Sequence, residues 1–289
     1  MIMVRADASS TIGTGHIMRD LVLAKRYFPK DQVIFATRAL EGNINRKILQ
    51  EGYAVELLRS SDKEEFFGVV ERMKPKQVVI DNYGFTLEDE KAFKQRFPHI
   101  KLTVFDDDYR DHFCDEIVNH NIGTDKSRYS NPGIVTLIPP LIREEFYKEK
   151  RCKREKIYDV FIAMGGADTA QLNIPIIEAL PKSYKVAVVT TSANAGLQKL
   201  KEYAQNRPNV TLHIDSNEIA KIMNQSQVAI VTPSVIVHEV LFMQLPFIAI
   251  KTAQNQDDIY RYLKNHLFHV MNRFCKSRLQ EILKQNGWI

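Results

Sequence analysis

Near the N-terminus, Asp7-Ala8-Ser9-Ser10-Thr11-Ile12-Gly13-Thr14-Gly15-His16 gathers hydroxyls, a carboxylate, two glycines and an imidazole. Gly13 and Gly15 let the backbone turn sharply and leave room for a ligand close to the main chain. His16 is the one side chain there whose ordinary pKa lets it move a proton near neutral pH. An apolar run, Met1-Ile2-Met3-Val4, precedes the stretch and an amphipathic segment, Ile17 to Tyr27, follows it. The order is strand, glycine loop, helix, and a helix N-terminus favours an anion. A plain βα turn with a surface histidine fits the same residues, because G-x-G without a third glycine is a weak signal. A second loop of this kind, Gly165-Gly166-Ala167-Asp168-Thr169, follows the apolar run Tyr158 to Met164. Polar groups also close other runs: Asp81-Asn82-Tyr83-Gly84, Asp106-Asp107-Asp108, Thr232-Pro233-Ser234 and Gln254-Asn255-Gln256-Asp257-Asp258. Three adjacent carboxylates cannot all point inward, so Asp106 to Asp108 read as a capping turn and no metal site is expected.

The elements that must position these groups alternate. Strands are expected at 33–36, 54–58, 78–80 and 102–105, with helical spacing at Ile44, Ile48 and Leu49, then at Phe66, Phe67, Val69, Val70 and Met73. Thr86 is a candidate cap for the following helix, with Asp89 at its third position. Such alternation implies a parallel sheet covered on both faces, with right-handed connections. Ligands bind beyond the carboxyl ends of such strands, which gathers the polar strand ends in one place. After Val118 the pattern loosens through Asn131-Pro132-Gly133 and Pro139-Pro140. The basic run 148–154 reads as a solvated linker. The alternation then restarts, with strands expected at 158–164, 186–190, 210–214, 228–231 and 247–250, short and longer helices at 219–223 and 235–245, and a helical tail from Tyr260. The expected architecture is α/β: two Rossmann-like domains, 1–150 and 151–289, with a cleft between them.

The 289 residues suit one large or two ordinary domains, and 44% hydrophobic with 26% charged residues is a globular composition. A net charge of +5 is too small and too evenly spread to argue for nucleic acid, yet suits a phosphorylated small molecule. Three distant cysteines without C-x-x-C spacing argue against a disulfide framework or a zinc site. The chain starts directly into an apparent strand, and no apolar run approaches the roughly 20 residues that span a bilayer. A cytoplasmic monomer is expected, with no membrane or nucleic-acid partner and no cofactor.

Several motifs together carry a resemblance. They are Arg5-Ala6-Asp7-Ala8-Ser9-Ser10 with Ile12 to His16 and Arg19-Asp20, Ile80 to Gly84, Phe105-Asp106-Asp107, Leu141-Ile142-Arg143-Glu144-Glu145-Phe146, Met164 to Asp168, Ser234, Glu239 and Asn255-Gln256. Spanning nearly the whole chain, they resemble the UDP-sugar hydrolases of pseudaminic acid biosynthesis, relatives of the glycosyltransferase-B fold enzymes. The resemblance implies release of UDP from UDP-2,4-diacetamido-2,4,6-trideoxy-β-L-altropyranose, with the nucleotide in the C-terminal domain. It puts the catalytic histidine at His16, with Tyr83 and Asn255 lining the site. Glu239 is expected on the ribose hydroxyls, Ser234 and its helix N-terminus on phosphate, and Ile214 at the uracil edge. Arg5, Asp7, Gly13, Gly15, Arg143, Gly165, Gly166, Asp168 and Gln256 complete the expected substrate-binding set. One departure falls at Gln171, where relatives often carry asparagine.

A nucleoside diphosphate is a competent leaving group, so strong acid catalysis is not needed and a helix N-terminus can take the developing charge. What remains is delivery of water to the anomeric carbon, general-base work suited to His16 and typically worth about 10²–10⁴-fold. The expected course is inversion with C–O cleavage and no metal. Asp81 is the candidate for a covalent alternative. Asn255 read alone fits an N-cap for a helix over 257–264, and His112, His120, His213 and His238 read as structural. The competing functions are glycosyl transfer to an acceptor alcohol and nucleotide-sugar binding without turnover.

Overall fold

The computed structural model describes residues 1–288 and divides the chain into two units, Met1–Leu141 and Ile142–Ile289. In the first, β1 (Ile2–Ala6) is buried along its whole length. Alternate residues feed two cores, as strand geometry requires. Ile2, Val4 and Ala6 pack with Ile17, Leu21 and Ala24 of α1 (Gly15–Tyr27), whereas Met3 packs with Phe66, Phe67 and Phe93. Burial on both faces is why this strand is a continuous apolar run. The remaining elements are β2 (Val33–Arg38), α2 (Asn45–Gln50), β3 (Ala54–Leu58), α3 (Lys63–Met73), β4 (Gln77–Asp81), α4 (Leu87–Arg96), β5 (Lys101–Phe105), β6 (Glu116–Asn119) and β7 (Val135–Leu137). Thr86 and Asp89 form a reciprocal capping box that starts α4. All seven strands are parallel, in the order β3-β2-β1-β4-β5-β6-β7. The order reverses between β1 and β4, the point where such sheets open to ligands.

The second unit repeats the plan. It comprises α5 (Glu144–Glu149), β8 (Tyr158–Ala163), α6 (Asn173–Ala179), β9 (Val186–Thr190), α7 (Leu197–Gln205), β10 (Val210–Ile214), α8 (Ile219–Asn224), β11 (Ser226–Val231), α9 (Val235–Met243), β12 (Phe247–Ile250), α10 (Asp257–Asn265), β13 (His269–Met271) and α11 (Lys276–Gln285). Its parallel strands run β10-β9-β8-β11-β12-β13, and the reversal lies between β8 and β11. Leu279, Ile282 and Leu283 return α11 to this core beside Val160, Ile162, Val186 and Val188.

Three expectations need correction. The tail is not wholly helical, because β13 pairs with β12 and separates α10 from α11. The run 148–154 is no free linker: Arg154 donates to both carboxyl oxygens of Glu149, and the Lys150 ammonium donates to the Phe242 carbonyl at 2.6 Å. The boundary falls at 141/142, ahead of 150, because α5 packs with α8 and α9, Tyr147 meeting the Phe242 ring at 4.6 Å.

Candidate active site

At the first switch point, α1 starts at Gly15, so His16 occupies its first turn with Arg19 and Asp20 on the same face. β4 ends on Asp81, in register with Ala6 of β1, and its carboxylate meets that face. Asp81 Oδ1 lies 2.6 Å from His16 Nδ1. Arg19 donates to the same carboxylate twice, from Nε at 2.6 Å and Nη2 at 2.5 Å. Its Nη1 donates to Asp107 Oδ2 at 3.0 Å, while the Tyr83 hydroxyl donates to Asp107 Oδ1 at 2.6 Å. The His16 and Tyr83 rings meet edge to face at 4.9 Å.

Burial alone raises the Asp81 carboxyl, but Arg19 and His16 outweigh it and hold it well below the ordinary carboxylate range. A carboxylate only accepts, so the proton in this contact belongs to Nδ1 of His16, and in the neutral ring the lone pair is the one on Nε2. With the proton on Nδ1, Arg19 Nη2 at 3.4 Å is a close approach of two donors that share the Asp81 carboxylate and not a hydrogen bond between them. With both oxygens engaged and 1% exposure, Asp81 is arranged to hold the imidazole and not to attack a sugar.

Arg5 and Asp7 lie in a neighbouring network at the end of β1. Arg5 pairs with Asp7 through two hydrogen bonds, at 2.8 and 2.9 Å. Asp7 also accepts from Arg38 N and Nε and from Asn82 Nδ2. Burial pushes Asp7 up, yet Arg5 and Arg38 bring it down to about 2. Both groups brace the strand ends. Gly13 needs its glycine for φ +87°, whereas Gly15 has open space where a Cβ would stand. The first turn of α1 has no side-chain cap and no acidic residue. The three carboxylates after β5 split: Asp107 holds Arg19 and Tyr83, while Asp106, which accepts from Tyr109 N, and Asp108, which pairs with Arg110, lie against each other.

In the second unit, Gly165 adopts φ +82° after β8. The Gly166 carbonyl accepts from both Thr190 and Thr191 hydroxyls, at 3.0 and 2.9 Å, which ties the loop to the end of β9. Asp168 is buried and turned inward, accepting from Leu172 N and Asn173 N at the start of α6, so it builds the loop and does not face solvent. Gln171 takes a left-handed φ of +50°, a conformation asparagine adopts more readily. Across the switch point, Ser234 opens α9 without capping it, and its hydroxyl lies 2.8 Å from that of Thr232. Glu239, buried on α9, receives Arg143 Nε at 2.6 Å and Nη2 at 2.8 Å. Each carboxylate oxygen keeps further acceptor capacity. Ile214 ends β10, half-buried, beside Asp215 at φ +50°. Asn255 is exposed within a 3₁₀ turn over Gln254–Gln256, and Gln256, not Asn255, occupies the cap position of α10. Gln256 Oε1 accepts from Thr252 N at 2.8 Å and so shapes that turn.

Residue-by-residue reasoning did not find roles for Arg19, Asp20, Arg38 or Asp107. One signal was available: two charged residues follow His16 on the face of α1 that also carries Ile17, Leu21 and Ala24 into the core.

No protein-family model matches the chain. The UDP-2,4-diacetamido-2,4,6-trideoxy-β-L-altropyranose hydrolase of Campylobacter jejuni is 37% identical to it, over 94% of this chain and 99% of that protein. The spore coat polysaccharide biosynthesis protein SpsG of Bacillus subtilis is 21% identical over 87% of this chain and 77% of its own length. Among solved structures, a spinosyn rhamnosyltransferase superposes with a TM-score of 0.70 at 10% identity, covering 99% of this chain and 91% of that one. MurG of Acinetobacter baumannii gives 0.61 at 12% identity, over 99% and 90%. These structures share the fold, two Rossmann-like parallel sheets of the glycosyltransferase-B kind. Among the described residues, no helix is long and apolar enough to cross a membrane.

Proposed function

The chain belongs to the UDP-2,4-diacetamido-2,4,6-trideoxy-β-L-altropyranose hydrolase family, and from this membership we infer that it releases UDP from that nucleotide sugar by adding water. In the proposed step His16 Nε2 takes a proton from water as the water oxygen bonds to C1. The C1–O bond to the diphosphate breaks, its electron pair leaves on UDP, and the anomeric configuration inverts. The observation that carries this reading is the 2.6 Å contact of Nδ1 with Asp81, which fixes the imidazole and presents Nε2 as acceptor. Tyr83, packed on the imidazole, is assigned to the sugar side.

The second unit is assigned the nucleotide. Ser234 and the first turn of α9 suit the diphosphate, since that turn carries no acidic residue. Glu239, aligned by Arg143, is assigned the ribose hydroxyls, and the main chain at Ile214 the uracil edge. The loop built by Gly165, Gly166 and Asp168 and the turn of Asn255 and Gln256 complete the substrate contacts. Arg5, Asp7, Gly13 and Gly15 shape the first loop for the sugar. The scheme uses no metal. We assign the working enzyme, a monomer, to the cytoplasm, where its three free cysteines suit a reducing compartment.

The test is UDP release from the named nucleotide sugar with EDTA present, for the wild type and His16→Asn. The expected outcome is wild-type turnover and a loss on the order of 10²–10⁴-fold in the variant, with UDP affinity retained. Undiminished variant turnover would remove His16 as the base. A wild type that binds UDP without turnover would point to a transferase lacking its acceptor.

A further inference from the structure

The reaction scheme leaves the most buried polar side chain of α1 without a task. Asp20 is fully buried, and neither carboxyl oxygen has a hydrogen-bond donor among the described residues. The charged groups facing it are Arg19 on its own helix and Asp81 on β4. Arg19 has committed its N–H groups elsewhere, Nε and Nη2 to Asp81 and Nη1 to Asp107. An ionised Asp20 would therefore be a third carboxylate beside one guanidinium, out of water and without a donor. Protonation removes the conflict, since a carboxylic acid O–H can donate to the neighbouring carboxylate. Burial, then the charge of Asp81, raises the Asp20 carboxyl well above its ordinary range, against a smaller pull from Arg19.

We propose that Asp20 is a neutral carboxylic acid in the folded protein, donating its proton to Asp81 and thereby acting as a positioning residue for His16. The second half of this proposal rests on His16 as the base; the first does not. Asp81 then accepts from three residues of α1: His16 at 2.6 Å, Arg19 at 2.5 and 2.6 Å, and Asp20 one turn further along the helix. Asp107 and Tyr83 complete the charged and titratable surroundings through Arg19 and the imidazole ring. A carboxylate saturated in this way is fixed in orientation. It also pulls less on the imidazole proton, which keeps His16 able to accept at Nε2.

The experiment uses the full-length protein with Asp20→Asn, which stays neutral and keeps a donor, and Asp20→Ala, which has none. The first readout is unfolding free energy against pH. In the unfolded chain Asp20 ionises above about 3.9, so a neutral native Asp20 means the folded state binds one proton more. The contribution of Asp20 to stability is then full below that pH and declines as pH rises. Asp20→Asn lacks the linkage, and its advantage over the wild type grows with pH, by up to about tenfold in the folding equilibrium per unit. A difference that does not vary with pH overturns the neutral assignment. The second readout is the infrared carbonyl band of a protonated carboxyl at neutral pH, present in the wild type and missing in Asp20→Asn; its absence from the wild type also overturns the proposal.

The third readout separates positioning from packing. In Asp20→Ala the acidic limb of kcat/KM moves to higher pH, by on the order of one unit, because Asp81 draws harder on the imidazole proton. In Asp20→Asn the limb stays where the wild type has it. A limb unmoved in both variants rejects the positioning role. Should Asp20→Ala fail to fold, the stability and infrared comparisons still decide the protonation state, and a downward shift of the limb in Asp20→Asn rejects it. Full turnover in His16→Asn would sink the assignment of the base while leaving the first two readouts intact, so the two failures are distinguishable.

Discussion

An imidazole serves as a base when one nitrogen is held and the other is open, and Asp81 does the holding here. Asp81→Asn keeps the shape but can present an N–H to Nδ1, which favours the wrong tautomer. It also leaves Arg19 with Asp107 as its remaining carboxylate partner. We expect kcat to fall on the order of 10²–10⁴-fold with UDP affinity unchanged, read by steady-state kinetics beside calorimetric titration of UDP. Equal kcat would show that the imidazole needs no such partner. At this scale the sequence was informative where the backbone announces a special conformation, as at Gly13, and where a histidine closes a loop. It was uninformative for Asp81, whose chemistry depends on what faces it. As a strand-end acid it was the candidate nucleophile of the covalent alternative until His16 and Arg19, both more than 60 positions away, were set against it. Arg19 and Asp20 belonged to a recognisable motif, but a charged residue on a helix takes its meaning from partners the local pattern does not contain.

Strands with apolar runs bounded by polar residues are easy to read: β9, buried along its whole length, and the edge strands β3 and β10 begin and end at the expected residues. The capping box of α4 was equally legible, because its chemistry is local. By contrast β7 and β13 are three residues long and α5 is six, too short to display a period. The tie between α4 and the end of β5 was hidden for the same reason as Asp81. His112 Nδ1 lies 2.7 Å from Glu90 of α4, and its Nε2 lies 3.3 Å from Asp106. Burial works against its protonation, but Asp106 and Glu90 prevail and raise it to about 9. A histidine raised on folding lends stability that is fully present below its unfolded pKa of about 6.5 and is lost as pH rises through the folded value. Wild-type unfolding midpoints should therefore decline between roughly pH 6.5 and 9, and His112→Gln should flatten that decline. Parallel declines in the two proteins would refute the tie.

The whole molecule repeats one plan, and the two copies carry different polar ends. The first unit places an imidazole and its carboxylate at the switch point, whereas the second places an uncapped helix start and a pair between half-buried Arg143 and buried Glu239. If the nucleotide belongs to the second, saturating UDP should slow amide exchange around 165–172, 190–192 and 232–239 in the intact protein. At about 100 times Kd the accompanying stabilisation is about 2.7 kcal/mol. Protection confined to residues 1–141 would reverse the assignment. The repetition itself was legible in the alternation of runs, although the point of division was not, because α5 and the basic run after it are claimed by α8 and α9 through contacts that no local pattern records. The order of the strands has one more consequence. β1 is made first but pairs with β4, so the sheet closes only after the chain through Asp81 is available and a long loop has been drawn in. The contact of His16 with Asp81 bridges 65 positions and is born in that same event. Recovery of catalysis during refolding is therefore a clock for the central register: the activity cannot return before the first strand has found its fourth.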